Sequence, residues 1–352
     1  MSYTPTAPLP KLFIGLDIHK RSWRAHFSTD ISVGSGKTMP ADSVKLLHYV
    51  KRHYPDSEVS IAYEAGSCGF MPARAFLSFG WTTFVLNPAD IPRPSASSVV
   101  KTDKLDATNI AKQLRAGNLQ GIHVPELDRE CLRSLSRQRS ALVKDFRRIK
   151  TRIKGLLLYY QIDIPPAFDQ AHWSLAFLAW LEDLSWDYAP FLHTLSSMLA
   201  QYHFIDQQIK SLSKKLKAYC RKHYHQDYML LRSVPGIGSL TAAYILAEIG
   251  DIKRFTSFKQ FASYIGLVPR VYASGEVSRT QGVSPRAKHI IRSMLIESAW
   301  VAIRFDPALQ AYFRKHAHHN TKMAIFKVAH KLLSRIHAVV KQQVPYQIGL
   351  LA

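Results

Sequence analysis

Four acids in this chain stand where an acid needs a reason. Asp17 in KLFIGLDIHK and Glu64 in VSIAYEAGS close apolar runs that read as buried strands, while Asp103 and Asp106 in VVKTDKLDATNIAK lie one helical turn apart. Carboxylates gathered from strands and a helix hold divalent cations, and two such cations about 4 Å apart activate a nucleophile and steady a leaving oxygen in phosphodiester chemistry. Each acid also has a plainer reading. A single Asp in a strand is more often a hydrogen-bonded or edge residue, and acids in the first turn of a helix are favoured by its dipole. Gly15 and Asp17 nevertheless interrupt LFIGLDI, and a charge inside a central strand costs several kcal/mol unless something compensates it. Glu64 repeats the pattern ahead of the turn formers Gly66, Ser67 and Gly69. Asp103 and Asp106 face one way and repel unless a cation or a basic partner lies between them.

The surrounding chain narrows the substrate. Its 352 residues hold 47 Lys and Arg against 25 Asp and Glu, a formal charge of +22, which points to polyanion partners and first of all nucleic acid. With 47% hydrophobic residues the chain can bury real cores, and its length predicts two or three domains. Cys68, Cys131 and Cys220 are far apart and without C-x-x-C spacing, so neither a disulfide framework nor a zinc site is expected, and a reducing cytoplasm is. The opening MSYTPTAPLPK lacks the regions of a signal peptide and no apolar run reaches the ~20 residues of a membrane span, so a soluble protein is expected.

The elements that must position the acids occupy residues 11–125. LFIGLDI and SWRAHFS read as a hairpin of strands, SVKLLHYVKRHY as a helix, VSIAYEA as a strand, FMPARAFLSFG as a helix ending on Gly80, and TTFVLN as a strand. That pattern predicts an α/β layer with a mixed sheet. A Pro- and Ser-rich loop, ADIPRPSASSVVK, leads to a helix DKLDATNIAKQLRAG, capped by Thr102 and closed by Gly117.

Residues 126–225 change to heptads. Leu132, Leu135, Leu142, Phe146, Ile149, Ile153, Leu156 and Tyr160 form one seam, with Arg139 intruding, and Leu195, Met198, Tyr202, Ile205, Ile209, Leu212, Leu216 and Tyr219 form another. Two long helices follow, as an antiparallel hairpin, a dimerising coiled coil or helices packed on their own domain. Residues 126–160 carry ten basic and four acidic residues whereas 161–225 carry six of each, which makes the first helix the better nucleic-acid candidate. Residues 226–345 hold 17 basic and six acidic residues and open on LLRSVPGIGSLTAAYILAEIG. As a helix-hairpin-helix, its Gly236 and Gly238 let backbone N–H groups approach a phosphate; as a plain turn, they only join packed helices. The His316, His318 and His319 group lacks cysteine partners and is not expected to bind metal. Trp173, Trp180 and Trp186 fit a core or an RNA-facing surface, and the basic amphipathic KMAIFKVAHKLLSRIHAVV fits packing or backbone contact better than a membrane surface.

In order along the chain, GLDIHK, YEAG, KTDKLDA, VPGIG and GLVPRVYASG resemble the DEDD transposases of the insertion-sequence one-hundred-and-ten (IS110) family, and the likeness runs from about residue 11 to 345. The resemblance implies three domains: a RuvC-like domain of ribonuclease-H-like fold, a coiled-coil linker, and a mostly α-helical transposase domain. It implies Mg²⁺ on Asp17, Glu64, Asp103 and Asp106, a nucleophilic serine at Ser274, and a structured bridge RNA that selects donor and target DNA. Dimers pairing into a tetrameric synapse in a bacterial cytoplasm follow from it as well.

Without the resemblance Ser274 is a Ser-Gly turn in PRVYASGEVSRT between two alternating runs. With it, an exposed hydroxyl can reach a phosphate, and Arg270, Arg279 and Arg286 can stabilise developing charge. No His or Lys is fixed beside Ser274 by spacing, so its general base is open. Two other readings remain at this point: a metal-dependent resolvase-type nuclease with no covalent intermediate, and a non-catalytic nucleic-acid scaffold.

Overall fold

Alternation of apolar and polar side chains turns the first 125 residues into a sheet with two differently used faces. The structure is a computed structural model that describes residues 9–92, 103–170, 172–274, 277–283, 288–318 and 320–348; for 103–105, 269–274 and 277–283 it describes the backbone. The chain divides into two units, Met1–Pro125 and Glu126–Ala352.

In the first unit the sheet runs in the order β3-β2-β1-β4-β5, with β1 (Lys11–Ile18), β2 (Ser22–Thr29), β3 (Val33–Pro40), β4 (Glu58–Glu64) and β5 (Thr82–Leu86). β1, β4 and β5 are parallel neighbours, and β2 and β3 are antiparallel. This is the mixed sheet expected of a RuvC-like domain. One face presents Leu12, Ile14, Leu16, Ala25, Phe27, Ile61 and Tyr63 to a core closed by Leu46 and Val50 of α1 (Ser43–His53) and Phe76 of α2 (Met71–Ser78). The opposite face presents Phe13, Ala62 and Leu86 to Ile110 and Leu114 of α3 (Asp103–Arg115). Gly80 and Gly117 end α2 and α3 with φ of 81° and 72°, conformations that glycine adopts without steric cost. The expected cap Thr102 lies outside the described residues.

β3 is an addition to the sequence reading. It is a mostly exposed edge strand with a register shift against β2, where a Cβ on Gly34 would fall 2.0 Å from the Phe27 carbonyl oxygen.

In the second unit, α4 (Leu127–Tyr159) and α6 (Ala189–His223) pack antiparallel within one chain. At one end Ile149, Ile153 and Leu157 meet Phe191, Leu195, Leu199 and Tyr202, together with Trp173 and α5 (Leu175–Glu182). Trp173 stacks on Tyr202 with ring centroids 5.2 Å apart, so it packs a core; Trp180 and Trp186 join the rim of the same cluster. The expected seam drifts here: Leu157 is buried where Leu156 and Tyr160 were expected, because a straight helix of 3.6 residues per turn rotates about 20° per heptad. At the other end Leu132, Leu216 and Cys220 enter a separate core with α7 (His225–Ser233), α8 (Ser239–Ile249), α9 (Phe258–Ile265), α10 (His289–Phe305), α11 (Pro307–Ala317) and α12 (Thr321–Gln342).

A two-stranded hairpin, β6 (Pro269–Ser274) and β7 (Val277–Val283), stands between α9 and α10. The basic helix α12 buries Ile325, Val328, Leu332, Leu333, Ile336 and Val340 and so is a core helix. Among the described residues no helix is long and apolar enough to cross a membrane.

Candidate active site

Gly15 shows why the acids of the first unit share one end of one face. A Cβ at Gly15 would lie 2.2 Å from the carbonyl oxygen of Ala107 and 2.4 Å from the amide nitrogen of Ala111, so only glycine lets α3 sit this close to β1. Asp17 follows two residues later on the same face. In the parallel pairing of β1 with β4, Leu16 is registered with Tyr63, so Asp17 and Glu64 occupy the next position on each strand. Both therefore sit at the carboxyl ends of adjacent parallel strands.

α3 runs antiparallel to β1. Arg115 at its last turn donates to the Asp30 carbonyl beside the start of β1, at 2.6 Å, which leaves its first turn over the strand ends that carry Asp17 and Glu64. Asp103 begins the row Asp103, Ala107, Ala111 that lies on Gly15, and Asp106 begins the row Asp106, Ile110, Leu114 that enters the core. The structure thus brings the backbone positions of all four acids to one end of one sheet face. The side chain of Asp103 lies outside the described residues.

The surroundings of Asp17 are polar. His19 Nε2 lies 3.2 Å from Asp17 Oδ2, and Arg24 stands opposite Asp17 on β2. His26, opposite Gly15, is buried, with Nδ1 3.3 Å from the Thr108 hydroxyl of α3; burial, and then the charges of Arg24 and Lys112, hold its pKa below the ordinary value. The loop after Glu64 folds back over β1, where the Cys68 thiol donates to the Ile18 carbonyl and the Tyr63 hydroxyl to the Gly69 carbonyl. His19, Arg24 and this Cys68 contact are neighbours of the candidate site that sequence reading did not find; the β1–β2 register places Arg24, and His19 follows in the turn after β1. Among the described residues no three His, Cys, Asp or Glu side chains come close enough to hold a metal ion, and that includes Asp17, Glu64 and Asp106; the Asp103 side chain and His319 are outside them.

In the second unit, Ser274 ends β6 directly opposite Val277, next to the hairpin tip. Arg270 lies on β6 and Arg279 on β7 opposite Tyr272, while Arg286 is outside the described residues. The P-G-I-G turn joins α7 to α8, and its two glycines differ. Gly236 has φ 81° and a Cβ there would fall 2.2 Å from the Ser298 carbonyl of α10, so packing against α10 requires a glycine here. Gly238 caps α8 with φ −74° and open space where its Cβ would be. Arg147, Arg232 and Thr241 line a groove of about 940 Å³ beside it.

With this geometry in view, the likenesses to known proteins fall into place. Residues 14–162 match the DEDD transposase family of IS110, and residues 228–314 match the transposase IS116/IS110/IS902 family. A putative transposase y4qE of Sinorhizobium fredii is 29% identical over 71% of this chain, and the chain spans 60% of that relative's length. The transposase for insertion sequence element IS1533 of Leptospira borgpetersenii is 26% identical over 82% of this chain and 85% of its own. A pilin gene-inverting protein of Moraxella lacunata is 26% identical over 96% of this chain and 98% of its own. The first match covers the acids and runs on through α4 of the second unit, the second covers the P-G-I-G turn and the Ser274 hairpin, and the chain belongs to the IS110 family of transposases.

Proposed function

We propose that the protein is an RNA-guided DNA recombinase that moves an insertion sequence by cutting and rejoining strands through Ser274. One observation carries the reading: Asp17 and Glu64 stand in register at the ends of adjacent parallel strands, beneath the first turn of a helix that opens on Asp103 and Asp106. Four carboxylates offer only hard oxygen donors, the kind that Mg²⁺ takes, and the basic partner across β2, Arg24, accounts for at most one of them. Asp17, Glu64, Asp103 and Asp106 would hold the metal, which when bound polarises the phosphate and neutralises its charge.

The chemistry then falls to the second unit. The Ser274 hydroxyl attacks phosphorus, the bond from phosphorus to the 3′-oxygen breaks, and the leaving oxygen departs as a 3′-hydroxyl. The serine proton passes by way of a base to the leaving 3′-oxygen, and a 5′-phosphoserine remains. Attack by the 3′-hydroxyl of another strand reverses the step and frees the serine. Arg270, Arg279 and Arg286 stabilise the charge on the phosphate, and the uncapped start of α8 at Gly238 holds the backbone of the DNA. A structured RNA selects donor and target by pairing, so the protein reads shape and backbone. The assembly is a dimer of dimers in a bacterial cytoplasm.

The test is to incubate the protein, with the RNA that co-purifies with it, with element-end DNA and Mg²⁺ and to look for a protein–DNA adduct that survives denaturation. An adduct lost in Ser274→Ala supports the reading. Cleaved DNA with no adduct would make the protein a resolvase-type nuclease.

A further inference from the structure

The charge average over residues 161–225 hides an asymmetry. All six acids fall between 163 and 206, and all six Lys and Arg fall between 210 and 222, along the second half of α6. Lys210 is paired with Asp206 at 2.6 Å. Among the described residues Lys214, Lys217, Arg221 and Lys222 have no carboxylate within ion-pair distance.

These four line a cleft of about 430 Å³ whose other wall is Tyr228 and Ser239, the first residue of α8. Tyr228 is buried and its hydroxyl donates to the Ser239 carbonyl at 3.3 Å, while Cys220 and Leu216 bury the inner side of α6 against the same core. The cleft is therefore held open by packing on both sides. α8 carries no side-chain cap and no acid in its first turn, so its leading N–H groups and the positive end of its dipole are uncompensated. The groove with Arg147 and Arg232 lies along the same first turn and also includes Gly238. The start of α8 thus sits between the basic cleft and a groove that carries Arg147, Arg232 and Glu297.

We propose that the cleft between the second half of α6 and the first turn of α8 binds the phosphate backbone of duplex DNA through Lys214, Lys217, Arg221 and Lys222. It rests on the reading of the chain as a DNA recombinase, and duplex DNA is the partner because a transposase acts on DNA. Lys214, Lys217 and Arg221 recur at three and four residues and so form one ridge about 10 Å long, which follows a backbone instead of enclosing a single anion. Contacts from such a ridge to phosphates carry no sequence information, so its contribution is sequence-independent affinity.

The measurement is the salt dependence of affinity for element-end duplex DNA, using the full chain with its co-purified RNA. In Lys214→Gln/Lys217→Gln/Arg221→Gln the slope of log K against log salt should fall by ~2 to 3, at roughly 0.9 per lost phosphate contact, and affinity at 0.15 M salt by about 100-fold. Replacement of both lysines by Arg should keep the slope. Lys45→Gln/Lys51→Gln/Arg52→Gln on α1 removes the same charge and should leave the slope within about 1 of wild type. An unchanged slope in the α6 triple, with its melting temperature intact and adduct formation normal, overturns the inference and leaves the recombinase reading standing. A loss of affinity only for the co-purified RNA overturns duplex DNA as the partner. A reduced slope in a protein that forms no adduct keeps the inference and removes the covalent mechanism.

Discussion

Two helices of this protein begin at candidate functional surfaces, and they begin in opposite ways. α3 opens on Asp103 and Asp106 and points its first turn at the ends of strands that carry Asp17 and Glu64. α8 opens on an uncapped glycine, has no acid in its first turn, and is flanked by Arg147, Arg232, Lys214, Lys217 and Arg221. The backbone offers the same partial positive charge in both places. Side chains reverse its meaning: one start collects carboxylates that need a cation, and the other leaves its N–H groups for an anion. Separate glycines secure the two arrangements, Gly15 by admitting α3 to the sheet and Gly236 by admitting α10 to the turn before α8.

The largest expected effect tests the acidic end. Asp17→Asn or Glu64→Gln should slow strand exchange by ~10³-fold, the several kcal/mol that a bound metal supplies, while duplex DNA affinity stays within about threefold. Equal loss of affinity would erase the distinction between a cation end and an anion end.

Next comes the contrast between glycines. Gly15→Val and Gly236→Ala should each cost about 2 to 3 kcal/mol in chemical denaturation, because the new atoms meet backbone that cannot step aside; Gly236→Ala adds a strained positive φ. Gly238→Ala should cost less than about 1 kcal/mol and weaken DNA binding by roughly tenfold, because the new methyl group keeps a phosphate from the N–H groups at the start of α8. A stability loss at Gly238 as large as at Gly236 would make the turn purely structural.

The smallest effect concerns His26 under α3. Its folded-state pKa is lowered by burial and by Arg24 and Lys112, so the unfolded chain binds more protons below its own histidine pKa. Stability contributed by neutral His26 is complete above about pH 6.5 and fades as pH falls through the lowered folded value. Thermal melts of wild type and His26→Asn at pH 7.5 and 5.5 should show a smaller loss on acidification in the variant.

The sheet was legible because β1, β4 and β5 bury apolar side chains at period two or in short runs, α1 repeats apolar residues at helical spacing, and α2 and α3 close on Gly80 and Gly117. β3 was not, since VGSGKTMP has two glycines and an exposed face, and only its pairing with β2 makes it a strand. The four acids were readable as exceptions within apolar runs, whereas their arrangement depended on Gly15, whose partner Ala107 is 92 positions along the chain. The packing need at Gly236 was hidden for the same reason: Ser298 is invisible from the P-G-I-G turn. The basic ridge of α6 disappeared when charge was averaged over a window longer than the ridge itself. Ser274 had no signal in its residue type or spacing, and only the likeness of the whole hairpin to a family singled it out.

α4 and α6 enter one core at Leu132, Leu216 and Cys220 and a different one at Ile153, Leu157 and Phe191, with half-buried Leu142 and Ile209 between. Such a pair of helices is a strut whose length is set independently of what it connects. Whole turns added to or removed from both helices at the middle would leave each core intact and change only the reach, which gives a mobile element a simple way to adjust its span in evolution.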